Sequence, residues 1–198
     1  IATAQFHQAT SMVADMASFL GRDDEAARYI EHAMHIHSRF LEEFLAEGTG
    51  VFDSGTQAAQ ASALFSGLVP TTEREAAVQR MVDAVVNDHD GHIAAGIFGT
   101  KYLLRELTAT GNADIAYNLV NQPDFPGWRH MMANGATTLW ETWAQSDNVF
   151  SQNHPMFGSV SEWFFRSLGG INPSPNAIGF DKVWLSPYFA PELDWVET

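Results

Sequence analysis

Apolar residues recur at three- and four-residue intervals from Ala2 to Leu20, at Phe6, Met12, Val13, Met16, Phe19 and Leu20, and Gly21 stops the pattern. This spacing predicts a helix. Asp23 and Asp24 then suit a helix first turn, and Ala27, Ile30, Ala33, Met34, Phe40, Leu41 and Phe44 continue an apolar stripe to Gly48, predicting a second helix folded back on the first. Gly48 to Gly55 reads as a turn-rich loop. The small-residue run AAQASALFSG within Thr56 to Gly67 predicts an interior helix, because small side chains let helices approach closely. Val69-Pro70-Thr71-Thr72-Glu73 breaks the chain and caps a helix running to about Val86, after which NDHDGH is a polar loop. Gly99 to Thr110 predicts a helix ended by Gly111, and Asn112 to Val120 another, which Pro123 and Pro126 prevent from continuing. Phe157 to Leu168 is a strongly apolar helix. Gly169-Gly170 with Pro173 and Pro175 then reads as an exit linker, and KVWLSPY has the content of a strand opening a separate β domain. Successive helix pairs punctuated by Gly and Pro predict an all-α array or toroid rather than a parallel sheet.

Composition narrows the partners. The 198 residues hold 24 Asp and Glu against 10 Lys and Arg, a net charge of −14 that repels phosphate backbones and anionic lipid. Nucleic acid and membrane surfaces are not expected partners, and no apolar run approaches the roughly 20 residues of a membrane helix. With no cysteine there is no disulfide, so cytoplasmic, periplasmic and secreted locations all fit. The chain opens at Ile1 within helical pattern, and we read it as a piece of a longer protein. A hydrophobic fraction of 45% with 12% aromatic residues marks a folded protein rich enough in rings to bind other rings.

The chemistry concentrates between Pro126 and Gly158, PGWRHMMANGATTLWETWAQSDNVFSQNHPMFG. Here Glu141 stands between Trp140 and Trp143, with His154 close behind. Sugars offer hydroxyls to charged groups and flat C–H faces to indoles, so a carboxylate flanked by tryptophans suits saccharide hydrolysis. The competing reading makes Glu141 a solvated glutamate at a helix start. Elsewhere the signals are bland. His89, Asp90 and His92 occupy one short loop without the convergent groups a metal needs, so neither a metal nor a cofactor is expected. His32, His35 and His37 lack the i,i+4 pairing that would stack two rings on one face. Gly96, Gly99 and Gly111 do not form a phosphate cradle.

Five stretches together resemble the C-terminal half of the catalytic domain of the glycoside hydrolase family 78 α-L-rhamnosidases: SGTQAAQASALFSGLVP (54 to 70), the segment from DGHIAAG to FPGW (90 to 128), NGATTLWETW (134 to 143), NHPMFGSVSEWFFRSLGGI (153 to 171) and GFDKVWLSP (179 to 187). The resemblance implies the second half of an (α/α)6 toroid over residues 1–171, followed over 172–198 by a linker and the first strand of a C-terminal β-sandwich. It also implies hydrolysis of terminal α-L-rhamnose with inversion, which needs a protonated carboxyl and an ionised one about 6.5–9.5 Å apart. Glu141 matches the family's general base, and the general acid is expected on a glutamate upstream of Ile1.

The same resemblance carries His154 over as a residue lining the sugar pocket and places His92 on a loop near the toroid mouth, where it is a candidate substrate contact. Asn153 either positions its loop or touches a sugar hydroxyl. Trp128, on a loop after Pro126-Gly127, either stacks on a sugar or packs on a neighbouring helix; of Trp140 and Trp143, at least one belongs to the core, while Trp163 packs. The expected partners are a rhamnose-containing glycoside or polysaccharide and, because half a toroid exposes apolar surface, the missing N-terminal half or a second copy. Two other readings remain beside this one: another (α/α)6 hydrolase or lyase acting on a different sugar, and a noncatalytic carbohydrate-binding or scaffold piece.

Overall fold

The computed structural model describes residues 1–146, 150–175 and 177–198, and it is helical with two short antiparallel sheets. Its chain forms two compact units, Ile1–Ala84 and Val85–Thr198.

In the first unit, α1 (Ala2–Phe19) and α2 (Asp23–Phe44) fold back on one another through a tight turn at Gly21, whose φ of 67° is cheap only without a Cβ. Asp23, Asp24 and Glu25 fill the first turn of α2, where they complement its N-terminal dipole. The face of α1 that packs differs from the predicted stripe. Ala4, Thr10, Ala14 and Ala17 are buried, whereas Phe6, Met12, Val13, Met16, Phe19 and Leu20 are exposed, Phe19 by 85%. Small residues permit close packing, and the buried face of α1 is made of them, while Phe6 of the bulky set meets the His32 ring of α2 edge-on at 5.6 Å. On α2, Ala33 and Phe40 of the predicted stripe are buried, while Ile30 and Met34 face outward.

The stretch after α2, predicted as a loop, contains a small hairpin. Its strands β1 (Leu45–Ala46) and β2 (Val51–Phe52) pair antiparallel, Leu45 opposite Phe52 and Ala46 opposite Val51. Helix α3 (Gln57–Phe65) begins at Thr56, whose hydroxyl accepts from the Ala59 N–H at 3.3 Å. A 3-10 turn at Thr71–Glu73 leads into α4 (Arg74–Val86). Buried amides and a buried acid fasten these parts. Gln60 accepts from Phe52 N at 2.7 Å and donates to Gly50 O at 2.8 Å and Ala77 O at 3.2 Å. Gln57 donates to Ala84 O at 3.1 Å, and the Glu73 carboxylate accepts from Gly48 N and Gly50 N, both at 2.8 Å.

In the second unit, α5 (Thr100–Ala109) and α6 (Ala113–Val120) form a hairpin around Gly111, burying Leu103, Leu104, Leu107, Ala116 and Leu119. A short helix, α7 (Trp128–Ala133), lies where a loop was expected. The predicted helix over 157–168 is divided into a 3-10 turn (Met156–Gly158), α8 (Ser159–Trp163) and a π turn (Phe164–Leu168) closed by Gly169 N donating to Phe164 O at 2.8 Å. Helix α8 packs on α5, and the Trp163 indole donates to the Thr108 hydroxyl at 2.9 Å, which agrees with a packing role for this tryptophan. Next to it Glu162 is held by Lys101 and Arg166, each at 2.8 Å, with Arg105 at 3.8 Å.

The predicted strand is present as β4 (Val183–Leu185). Its partner is β3 (Ile171–Pro173), within the stretch predicted as a linker, with Ile171 opposite Leu185. The hairpin also returns to the preceding helical segment: Ser186 N donates to Gly170 O at 2.9 Å and Tyr188 N to Ser167 O at 2.8 Å. The expected division at residue 171 therefore falls inside a paired hairpin. No described helix is long and apolar enough to cross a membrane.

Candidate active site

Residues 139–141 and 151–154 run alongside each other as an irregular antiparallel pair. Glu141 N donates to Ser151 O at 2.9 Å and His154 N donates to Leu139 O at 2.8 Å, so the main chain brings the acid and the imidazole onto adjoining strands of one loop. Of this loop, residues 147–149 lie outside the described residues. Gly158 lets the following turn settle against Leu139, whose Cδ1 would lie 3.3 Å from a Cβ at that position.

Glu141 is half-buried and is not helical. Its Oε2 accepts from the Ser151 N–H at 2.9 Å, and among the described residues it forms no ion pair. A backbone donor at Oε2 fixes the orientation of the carboxylate. The solvated helix-start reading is therefore not what the backbone shows. Glu141 does not line any of five cavities found among the described residues.

His154 is half-buried, with Nδ1 accepting from Met156 N at 3.4 Å. In the neutral ring this leaves Nε2 to carry the proton as a donor. Asn153 is exposed and its N–H donates to the Ser151 hydroxyl at 3.1 Å, so its backbone takes part in shaping the loop.

The tryptophans divide by burial. Trp140 is 3% exposed and Trp128 7%, and the Trp128 indole donates to Phe157 O at 3.1 Å. Of the two readings open for Trp128, its surroundings present packing. It is the first residue of α7, and the i,i+3 pair Trp128 and Met131, both buried, between Gly127 and Asn134-Gly135 was the pattern from which this helix was legible. Trp143 is half-buried, stacks on Phe157 with ring centroids 3.8 Å apart and planes at 26°, and donates from its indole to Ala95 O at 2.9 Å. Trp128 meets Trp143 edge-on at 4.9 Å and 84°. Trp140 is the one of the Trp140 and Trp143 pair that is fully in the core.

His92 is half-buried in a tight turn, with its Nδ1 3.0 Å from Asp90 O and 3.2 Å from His89 O. It begins the same short segment whose Ala95 carbonyl receives Trp143. No group of three or more His, Cys, Asp or Glu able to hold a metal occurs among the described residues. Phe157 and the main-chain groups of Ala95 and Ser151 were missed in the sequence. In the sequence Phe157 reads only as part of an apolar helix, and a carbonyl or N–H has no residue-type signature.

The antiparallel helix pairs α1–α2 and α5–α6 fit a domain built from helical hairpins. Residues 1–168 match the family described as the bacterial alpha-L-rhamnosidase 6 hairpin glycosidase domain, and the chain belongs to that family. An α-L-rhamnosidase of Streptomyces avermitilis is 37% identical over 195 residues, covering 94% of this chain and 18% of the relative; one of Alteromonas sp. is 30% identical over 206 residues, covering 100% and 22%. The crystal structure of the Streptomyces avermitilis α-L-rhamnosidase complexed with L-rhamnose superimposes with a TM-score of 0.88 at 36% identity, covering 97% of this chain and 19% of that one. The α-L-rhamnosidase from Dictyoglumus thermophilum gives 0.87 at 32% identity, covering 96% and 21%. The chain thus spans about a fifth of the length of these relatives.

Proposed function

We propose that this chain is the part of an inverting α-L-rhamnosidase that carries the general base, and that Glu141 is that base. The observation that carries the reading is the placement of Glu141: half-buried on a loop, held through Oε2 by a backbone N–H, unpaired with any described cation, and joined by main-chain hydrogen bonds to the segment bearing His154. An ionised carboxylate so held can take a proton from water as the water attacks the anomeric carbon, while the general acid, supplied from outside these 198 residues, protonates the leaving oxygen. The Nε2–H of His154 donates to a sugar hydroxyl. Asn153 and His92 contribute further polar contacts at the rim. Trp143 and the buried Trp128 and Trp140 form an apolar backing that supports the loop of the acid. The substrate is a glycoside or polysaccharide ending in α-L-rhamnose. The rest of the parent protein covers the apolar outer face of α1.

The test uses the full-length protein and its Glu141→Gln variant with an aryl α-L-rhamnoside. Turnover falls by about three orders of magnitude, within the range of acid–base catalysis, while L-rhamnose still binds. Unchanged turnover rejects the assignment.

A further inference from the structure

Three aromatic rings of the second unit pack together, one of them two residues from Glu141, and each comes from a different segment. Trp143, two residues beyond Glu141, stacks face to face on Phe157 at 3.8 Å, and Trp128 closes the group edge-on to both, at 4.9 Å from Trp143 and 6.4 Å from Phe157. Hydrogen bonds lock the rings. The Trp143 indole donates to Ala95 O at 2.9 Å and the Trp128 indole to Phe157 O at 3.1 Å. An edge or stacked ring pair is worth about 0.5–1.5 kcal/mol beyond burial. A buried N–H deprived of its acceptor costs about 1–3 kcal/mol. The two indole hydrogen bonds therefore set the orientation of the rings, and stacking fills the space between them.

The covalent connections make this group more than core. Phe157 follows His154 by three residues, Trp143 follows Glu141 by two, and the main chains of the two segments are paired at Glu141 with Ser151 and at Leu139 with His154. Phe157 is 1% exposed, so it touches no solvent and offers no face to a sugar. Its contact with Trp143 closes a ring of constraints around the acid and the imidazole: the paired backbone on one side, the stacked side chains on the other. A carboxylate that must accept a proton from a water aligned with the anomeric carbon is sensitive to displacement, and an error near 1 Å can cost about a hundredfold in rate.

We propose that Phe157, acting through the stacked indole of Trp143, is the positioning residue that holds Glu141 at its working place relative to His154. This rests on the reading of Glu141 as general base. The Trp143 indole, with its N–H engaged by Ala95 and one face covered by Phe157, serves the acid rather than the sugar.

Two variants of the full-length enzyme test this. Phe157→Leu keeps the site apolar and removes the flat partner; Trp143→Phe keeps the stack and removes the donor to Ala95. Each is expected to lower kcat on an aryl α-L-rhamnoside by about ten- to a hundredfold with KM changed less than about twofold, and to leave L-rhamnose binding intact. Made on a Glu141→Gln background, neither lowers the residual rate further, because a residue that acts through the carboxylate has nothing left to act on. A raised KM with kcat preserved would assign the rings to sugar contact and overturn the proposal. An undiminished loss on the Glu141→Gln background would do the same by showing a general structural role. If Phe157→Leu does not fold, the Trp143→Phe pair of measurements decides alone. Full activity in Glu141→Gln itself would instead overturn the base assignment, a separately visible result.

Discussion

The carboxylate of Glu73 accepts from the N–H of Gly50 at 2.8 Å, twenty-three residues earlier in the chain, and from Gly48 N at the same distance. It is 9% exposed, and it closes the β1–β2 hairpin onto the start of α4. Glu73→Ala leaves two N–H groups without this acceptor, and the expected loss is about 2–4 kcal/mol, taking 1–3 kcal/mol for each buried donor and allowing for water entry. Denaturant unfolding monitored by tryptophan fluorescence measures it, and Glu73→Gln is expected to recover part of the loss by keeping one acceptor.

Gly50 itself tolerates no side chain. Its φ is 68°, and a Cβ would stand 2.4 Å from Ala77 N and 2.6 Å from Ala76 C, both main-chain atoms that cannot swing aside. Gly50→Ala is expected to cost at least about 2 kcal/mol from the clash and the left-handed backbone together. Gly48→Ala, with similar φ and open space around the position, is the control and should cost about 1 kcal/mol. Equal losses in the two variants would refute the steric argument.

Glu162 titrates against three cations. Burial raises its carboxyl, but the hydrogen bond and charge of Lys101, followed by the charges of Arg105 and Arg166, outweigh burial and hold it below the ordinary value of 4.5. A carboxyl depressed in the folded state contributes stability above its unfolded pKa and loses it as pH falls through the folded one. Acid unfolding should therefore be steeper below about pH 4.5 in the natural sequence than in Glu162→Gln, measured by circular dichroism across an acid series. Identical acid profiles would show that the cluster is too well screened to matter.

His7 carries the opposite charge with the same sign of linkage. Burial first, then the charge of His37, lower its pKa below 6.5, against a backbone hydrogen bond at Ser66 that raises it. The folded chain thus binds the proton less well than the unfolded one, so the contribution of His7 is intact above about pH 6.5 and fades as pH falls through the folded value. Its Nδ1 is buried without a partner, and its ring lies 5.7 Å from that of His37 between α1 and α2. His7→Leu should flatten the fall in melting temperature between neutral pH and about pH 5, and a fall of unchanged slope would exclude His7 as its source.

Much of the helical order was legible because Gly21, Gly67, Gly111 and the Thr56 cap mark element ends by local rules, and α1, α2, α3, α5 and α6 lie close to where those marks place them. The hairpin at Leu45–Phe52 was not legible, since a ladder of two residues is made by the distant Glu73 and Gln60 and has no periodicity of its own. The side of α1 that packs was also hidden. Hydrophobic periodicity identifies an apolar face but not whether the first neighbour met is a small-residue helix or something else. At the candidate site, residue type singled out Glu141, His154 and the tryptophans, while the groups that hold them are main-chain atoms of Ser151, Leu139, Ala95 and Phe157.

The two-sided character of α1 makes it an engineering handle. Its buried face is made of alanine and threonine, so enlarging Ala14 or Ala17 would disturb the packing there, whereas Met16 and Phe19 are solvent-facing and can be exchanged for charged residues at a cost within about 0.5 kcal/mol. A doubly charged α1, for example with Met16→Lys and Phe19→Glu, is then the direct route to a monodisperse preparation of these 198 residues for spectroscopy. In the full-length protein the same exchange tests the proposed covering of that flank: a loss of stability there, absent in the 198-residue chain, is the expected outcome.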